Sequence, residues 1–395
     1  MRSFSYYVPT EIIFGADTEK RTAELVQKYG GTRVLLVTGG GSVVRSGLLD
    51  RVTALLDGAG VAHELLSGVR PNPRLSFARE GVKQALAMKA DLILAVGGGS
   101  VIDTAKAVAH GAANPDTDIW EFWSGSKKLA RTLPVGVILT LPASGSESSN
   151  SAVLTNEETS VKRGLSTDFN RPAFAILDPK LAATLPPYQA ACGVTDIMMH
   201  TLDRYFNPVG DDETTDELAE ALLRVVVRNG IAVVKDPADE HAMSEIMWCG
   251  SLSHNGLTGL GGTNDFAPHQ LGHALSAKFD AAHGASLASI WASWARHVFR
   301  ANPARFARYA KNVWEIDASF SAEEAALSGI AATEAYFQAL GMPAGLPALV
   351  GRQDEAGLDD LADRCSYGRS RTIGSFMKLG WEDMRAIYAA ANDSL

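Results

Sequence analysis

The stretch DLILAVGGGSVIDTAKAVAHGA, residues 91–112, reads as a buried strand, a glycine turn and a helix. Its apolar run has no polar alternation, the pattern of a strand covered on both faces of a parallel sheet. The same texture recurs outward from it. RVLLVTGGG (33–41) is a second apolar run ending in glycines, VGVILTLPASGSESS (135–149) a third ending in a small-residue loop, and AFAILDP (173–179) a fourth. TEIIFG (10–15) and the segment around His63–Leu66 read as shorter strands, and helical patterns over 17–30, 47–58 and 77–89 fall between them. Strand–helix alternation with short connections predicts a Rossmann-like α/β domain built on a parallel sheet. In such sheets ligands bind beyond the carboxyl ends of the strands.

After LDPKLAATLPPYQAA strand signals fade and helical patterns dominate: 216–234, 242–257, 285–300, 321–341 and 381–392. The expected organisation is an α/β domain over 1–184 and an all-helical domain over 185–395. The chain has 395 residues, 46% hydrophobic and 21% charged, with net charge −9. That size supports two domains, and the acidic balance without a basic cluster argues against nucleic acid or an anionic membrane as partner. Cys192, Cys249 and Cys365 are isolated and unpaired in spacing, so neither a disulfide framework nor a cysteine zinc site is expected. The N-terminus lacks a basic-then-apolar leader pattern and no run approaches the roughly 20 apolar residues of a membrane helix. The expectation is a cytoplasmic protein.

Glycine turns are the first chemical signal. Gly97, Gly98, Gly99 and Ser100 end a strand and open a helix, where bare backbone N–H groups suit a pyrophosphate. The spacing is not GxGxxG, because Ile102 stands where the third glycine would be. A ligand-free reading also exists, in which Ser100 and Asp103 form a capping box. In an NAD site an acidic residue near the end of a second strand accepts the ribose hydroxyl. Here that place holds Gly39, Gly40, Gly41 and Ser42, with Arg45 close behind. Glycine amides, a hydroxyl and an arginine accept a 2′-phosphate, which favours NADP(H) over NAD(H).

Metal ligands are the second signal. Asp196 and His200 are four apart in a helical segment, as are His269 and His273, and His283 follows. Residues four apart share a helix face, and facing pairs converge donors on one point. HQLGH (269–273) is not a protease HExxH helix, because Gln270 replaces the glutamate base. The remaining histidines, His63, His110, His241, His254 and His297, read as ordinary core or surface residues.

GGGSVIDTAK (97–106), LPASGSES (141–148), GVTDIMMHTLDRYF (193–206) and HQLGHALSAKFDAAHG (269–284) together resemble the iron-containing, group III alcohol dehydrogenases. Within that family the chain resembles the NADPH-dependent butanol dehydrogenase and aldehyde reductase branch, over nearly its whole length. The resemblance implies a dehydroquinate synthase-like fold and hydride transfer between NADP(H) and a small alcohol or aldehyde. It implies one divalent metal, Fe2+ or Zn2+, on Asp196, His200, His269 and His283. It makes His273 an active-site neighbour able to relay a proton, and places Asp103 close to the nicotinamide. Thr140, Leu141 and Lys162 then line the cofactor. The branch usually carries asparagine where Ser149 stands here, one residue before Asn150. A homodimer is also implied. Glycerol-type enzymes and a non-catalytic binding relative are the alternatives of the same fold. Trp120, Phe122, Trp123 and Phe266 are candidate pocket walls.

Overall fold

The computed structural model describes residues 2–208, 212–317 and 319–394. The chain folds as two compact units, Tyr7–Thr184 and, with the segment through Tyr6, Leu185–Leu395.

The first unit is organised on a six-stranded sheet. Its central strands are β2 (Arg33–Gly39), β4 (Leu92–Gly97) and β5 (Val135–Leu139), flanked by β3 (Ala62–Val69), β8 (Phe174–Leu177) and β1 (Glu11–Phe14). The order is β1-β8-β5-β4-β2-β3, and every pairing is parallel. Helices α1 (Thr22–Lys28), α2 (Ser42–Arg45), α3 (Leu48–Gly58), α4 (Leu75–Ala87), α5 (Gly99–Ala113) and α6 (Trp120–Ser124) connect them. Val34, Leu36, Leu92, Leu94, Val96 and Ile176 lie fully buried in one core with Leu25, Val52 and Leu56 of the covering helices. The chain steps from β2 outward to β3, then returns past β2 to β4. The turns after β2 and β4 therefore flank the point where winding reverses, the usual place for a nucleotide in an open parallel sheet.

A hairpin of β6 (Ser151–Asn156) and β7 (Val161–Ser166) stands apart from the sheet. Its sequence carries none of the long apolar runs that mark the sheet strands. Below it Phe122 and Trp123 are buried with Leu75, Ala78 and Leu154, and the Trp123 indole donates to Ala152 O. These two aromatics are core, which corrects the expectation that they wall a substrate pocket. His110 is a core histidine with both nitrogens satisfied. Nε2 meets Asn170 Oδ1 at 2.8 Å and Nδ1 meets Thr132 Oγ1 at 2.7 Å.

Burial holds His110 down at about 4, against an ordinary 6.5. Because its pKa is lower in the folded state, the unfolded chain takes up the proton first. The contribution to stability is complete above about pH 6.5 and is lost as pH falls toward 4. At about 1.4 kcal/mol per pH unit, the gap between 6.5 and about 4 is worth about 3 kcal/mol. Urea unfolding at several pH values is expected to show this acid limb, and His110→Gln to flatten it. An unchanged slope in the variant would refute the assignment.

The second unit is helical: α7 (Pro187–Tyr205), α8 (Glu213–Lys235), α9 (Glu240–His254), α10 (Ala267–Phe279), α11 (His283–Val298), α12 (Pro303–Trp314), α13 (Ala322–Ala339), α14 (Leu346–Val350), α15 (Glu355–Ser366) and α16 (Trp381–Asn392). Its core is aromatic, with Trp291, Trp294, Phe206, Phe306 and Tyr309 packed ring on ring. The end of α7 is fixed by buried Arg305, which donates to Tyr205 O and forms a two-point ion pair with Asp216. Among the described residues no helix is long and apolar enough to cross a membrane.

Candidate metal centre and nucleotide turns

Helix α7 carries Asp196 and His200 on one face, one turn apart, and both are buried. Helices α10 and α11 bring His269 and His283 to the same place. Asp196 Oδ1 is 3.2 Å from His200 Nδ1, 3.6 Å from His269 Nε2 and 3.7 Å from His283 Nε2. Donor atoms of Asp196, His200 and His269 lie within 4.8 Å of one another. Asp196 Oδ1 and His269 Nε2 are buried without a hydrogen-bond partner. Two such atoms side by side are costly unless something bridges them. A cation fits that description, and carboxylate plus imidazole suits iron or zinc.

The charge state of the imidazoles fits as well. Burial, reinforced by His254 and His269, drives His200 well below its ordinary pKa, so it stays neutral and able to ligate. Its Nδ1 lies 2.9 Å from Asp196 O, which marks Nδ1 as the protonated nitrogen. Burial also works against a charged His269, but Asp203 and Asp196 outweigh it and lift the group to about 9. Two carboxylates thus make His269 a place that favours positive charge. His273 stands in the same row, its ring 6.4 Å from His269 and 5.3 Å from His283, and is half-buried.

Three residues of this site were not read from the sequence as part of it, or were read more weakly than the structure places them. Asp203 is fully buried, and its Oδ2 meets His269 Nδ1 at 2.5 Å. That contact fixes the tautomer so that Nε2 faces Asp196. The signal existed: Asp196, His200 and Asp203 fall at i, i+4 and i+7 on α7. His254, read as an ordinary histidine, lies edge-on to His200 with ring centroids 4.0 Å apart. Phe266, a candidate wall, has φ 54° and its ring lies 5.3 Å from His269, with the Arg204 guanidinium 4.8 Å over it. A bulky residue in the left-handed region is held there only by strong surroundings. Here they are Asp265, which accepts from Ala267, Ser375 and Phe376 N–H while donating its own N–H to Asp203 O. Asp203→Asn keeps an acceptor for His269 without the charge, and Asp203→Ala keeps neither. Metal affinity, read by chelator competition, is expected to fall about 10- to 100-fold in the alanine variant and less in the asparagine one. Equal affinity in all three proteins would exclude the role.

In the sheet unit the glycine turns lie at the carboxyl ends of adjacent strands. Gly97 ends β4, Gly98 caps α5 and Gly99 begins it. The capping-box reading of Ser100 fails, because Ser100 lies inside the helix and the cap is Gly98. The Asp103 carboxylate instead accepts from Ser146 Oγ at 2.6 Å and Val153 N at 2.9 Å. Burial pushes Asp103 upward, against the pull of Lys106. A β-carbon on Gly99 would stand 2.3 Å from Ser144 Oγ, so the loop after β5 rests directly on the turn. Thr140 and Leu141 continue from β5, Thr140 N donating to Gly97 O, and Leu141 packs on Gly98. Lys162 on β7 is buried and donates to Asn72 Oδ1 at 2.9 Å. Gly39 ends β2, Gly40 and Gly41 turn, and Ser42 starts α2, with the Arg45 guanidinium over Gly41. Buried Ser149 donates to Ser151 O, and Asn150 O accepts from Asn170 Nδ2.

The family profile "Iron-containing alcohol dehydrogenase" matches residues 9–179, and "Fe-containing alcohol dehydrogenase family, C-terminal" matches 189–392. NADH-dependent butanol dehydrogenase A of Clostridium acetobutylicum is 38% identical over 98% of this chain and 99% of its own. The NADPH-dependent aldehyde reductase YqhD of Escherichia coli is 34% identical over 92% and 96%. The crystal structure of NADH-dependent butanol dehydrogenase A from Thermotoga maritima superposes with TM-score 0.94 at 34% identity, covering 99% of each chain. The chain belongs to the iron-containing alcohol dehydrogenase family, in its butanol dehydrogenase and aldehyde reductase branch, and is an oxidoreductase of that family.

Proposed function

We propose that Asp196, His200, His269 and His283 hold one divalent metal, iron or zinc, and that the protein interconverts a short primary alcohol and its aldehyde with NADP(H) in preference to NAD(H). The observation that carries this reading is the approach of three imidazoles to one buried carboxylate oxygen, with that oxygen and His269 Nε2 both lacking a hydrogen-bond partner. A bound ion supplies Lewis acidity toward a substrate oxygen, and the nicotinamide gives or takes the hydride.

The chain's own groups have separable tasks. The N–H groups at Gly97, Gly98, Gly99 and Ser100 receive the pyrophosphate at the start of α5. Thr140 and Leu141 line the cofactor, Lys162 reaches its ribose or phosphate, and Asp103 lies close to the nicotinamide ring. Gly39, Gly40, Gly41 and Ser42, with Arg45 above them, receive the 2′-phosphate; residues 39–45 carry no carboxylate of their own to repel it. The named relatives include both NADH- and NADPH-dependent enzymes, so this turn is what supports the preference. His273, beside His283 and partly exposed, moves the proton between substrate and solvent. His273→Ala is expected to lose rate while keeping its metal; parallel loss of both would make it a ligand instead.

The test is the initial rate of NADPH oxidation with butanal, on protein loaded anaerobically with iron or zinc. The expected result is a rate that vanishes on chelation and far exceeds the NADH rate. A faster NADH rate would overturn the cofactor preference. Turnover on glycerol but not butanal would move the substrate to a polyol.

A further inference from the structure

Lys106 is completely buried in α5, one turn after Asp103. Its ammonium is not spent on an ion pair. Nζ donates to Ser146 O at 2.7 Å, Ser146 Oγ at 2.8 Å and Ser151 O at 2.8 Å, with Ser149 O at 3.5 Å. Three carbonyls of the stretch that leads into β6 therefore turn inward and meet at a single point. Carbonyl oxygens do not gather in a protein interior without a donor or a cation among them, because each repels the others and each has lost water. Burying an ammonium is itself costly, by several kcal/mol in general. A methionine of similar length would fill the space without that cost, but would leave the carbonyls without donors. The lysine is thus explained by the shape of the loop rather than by packing.

Asp103 completes the arrangement from the same helix. It accepts from Ser146 Oγ and Val153 N, so the two charged side chains grip the segment at both ends. Burial draws Lys106 down to about 8, while Asp103 and Glu147 support its charge, and it remains an ammonium at neutral pH.

We infer that Lys106 is a positioning residue for the dinucleotide, its ammonium standing where a bound cation would otherwise be needed to hold residues 146–151 in the shape that receives the cofactor. This rests on the reading of the loop after β5 as a wall of the dinucleotide site. Lys106 itself touches no cofactor; it acts through the loop and through Asp103.

The experiment is titration of the full-length, metal-loaded protein with NADPH, followed by fluorescence, for the wild type, Lys106→Ala and Lys106→Met. Both variants are expected to bind NADPH on the order of tenfold more weakly or worse, with metal content unchanged. Propylammonium supplied in solution restores the missing stem and charge of Lys106→Ala, so it is expected to recover part of the affinity there. It is expected to do nothing for Lys106→Met, whose side chain fills the channel. A merely structural lysine would show no such selective rescue. NADPH affinity equal to wild type in either variant, or absence of rescue in Lys106→Ala, overturns the inference. Should neither variant be soluble, Ser146→Ala removes the hydroxyl that both charged groups share, and unchanged NADPH affinity in it overturns the inference equally. Failure of the wild type to bind NADPH or NADH would instead remove the dinucleotide reading, and this inference with it.

Discussion

Replacing Asp196 with alanine is expected to abolish tight metal binding and, with it, turnover. Its Oδ1 is the one atom that all three imidazoles approach, at 3.2 to 3.7 Å. Without it, three imidazoles face one another with no anion between them. A cation placed there then lacks its anionic ligand, and His269 loses one of the two carboxylates that favour positive charge. Loss of an outer-shell partner typically costs about 10- to 100-fold in metal affinity, and loss of the central ligand is expected to exceed that. Metal content after dialysis, measured beside the circular dichroism spectrum, separates a lost site from a lost fold. A folded Asp196→Ala protein that keeps both metal and activity would disprove the assignment.

Gly284→Ala is expected to have the second largest effect. Gly284 follows His283 at the start of α11, and there α11 meets the backbone of α7. A β-carbon would stand 2.2 Å from Cys192 O and 2.7 Å from Cys192 Cα. Neither is the end of a flexible side chain, so a whole helix must move. Overpacking usually costs about 1–3 kcal/mol, and more when backbone is displaced. Cys192 lies one turn before Asp196, so the same displacement pulls His283 from its 3.7 Å approach to Asp196. The expected result is a lower melting temperature together with weaker metal binding. A variant unchanged in both would show that α11 does not depend on this contact.

The parts of the molecule legible in the sequence were those whose signal is local. The apolar runs at 33–39 and 92–97 became the central strands, and 381–392 became α16. Asp196 with His200, and His269 with His273, were visible because helical spacing is a property of neighbours. The β6–β7 hairpin was missed because SAVLTNEETSVKRGLS is mostly polar and packs only one face, so no long apolar run marks it. The capping box failed because α5 begins at Gly99, where backbone geometry rather than a serine hydroxyl opens the helix. The place of Asp203 depends on His269, 66 residues away. Spacing along α7 placed it on the right face, but only the packing of α10 supplied its partner. Lys106 looked like any helical lysine until the loop carbonyls closed around it.

The sheet order has a consequence for how the chain is made. β1 leaves the ribosome about 160 residues ahead of β8, yet among the described residues its partner in the sheet is β8, at residues 174–177. β2, β3 and β4 can join as soon as residue 97 is available, and β5 adds to them next. Throughout that time β5 keeps a bare edge and β1 has no strand to join. Long-range pairing of this kind is the slow and aggregation-exposed part of folding. A nascent or truncated chain ending before Phe174 therefore carries two unsatisfied strands at once, and β8 closes both when it enters between them.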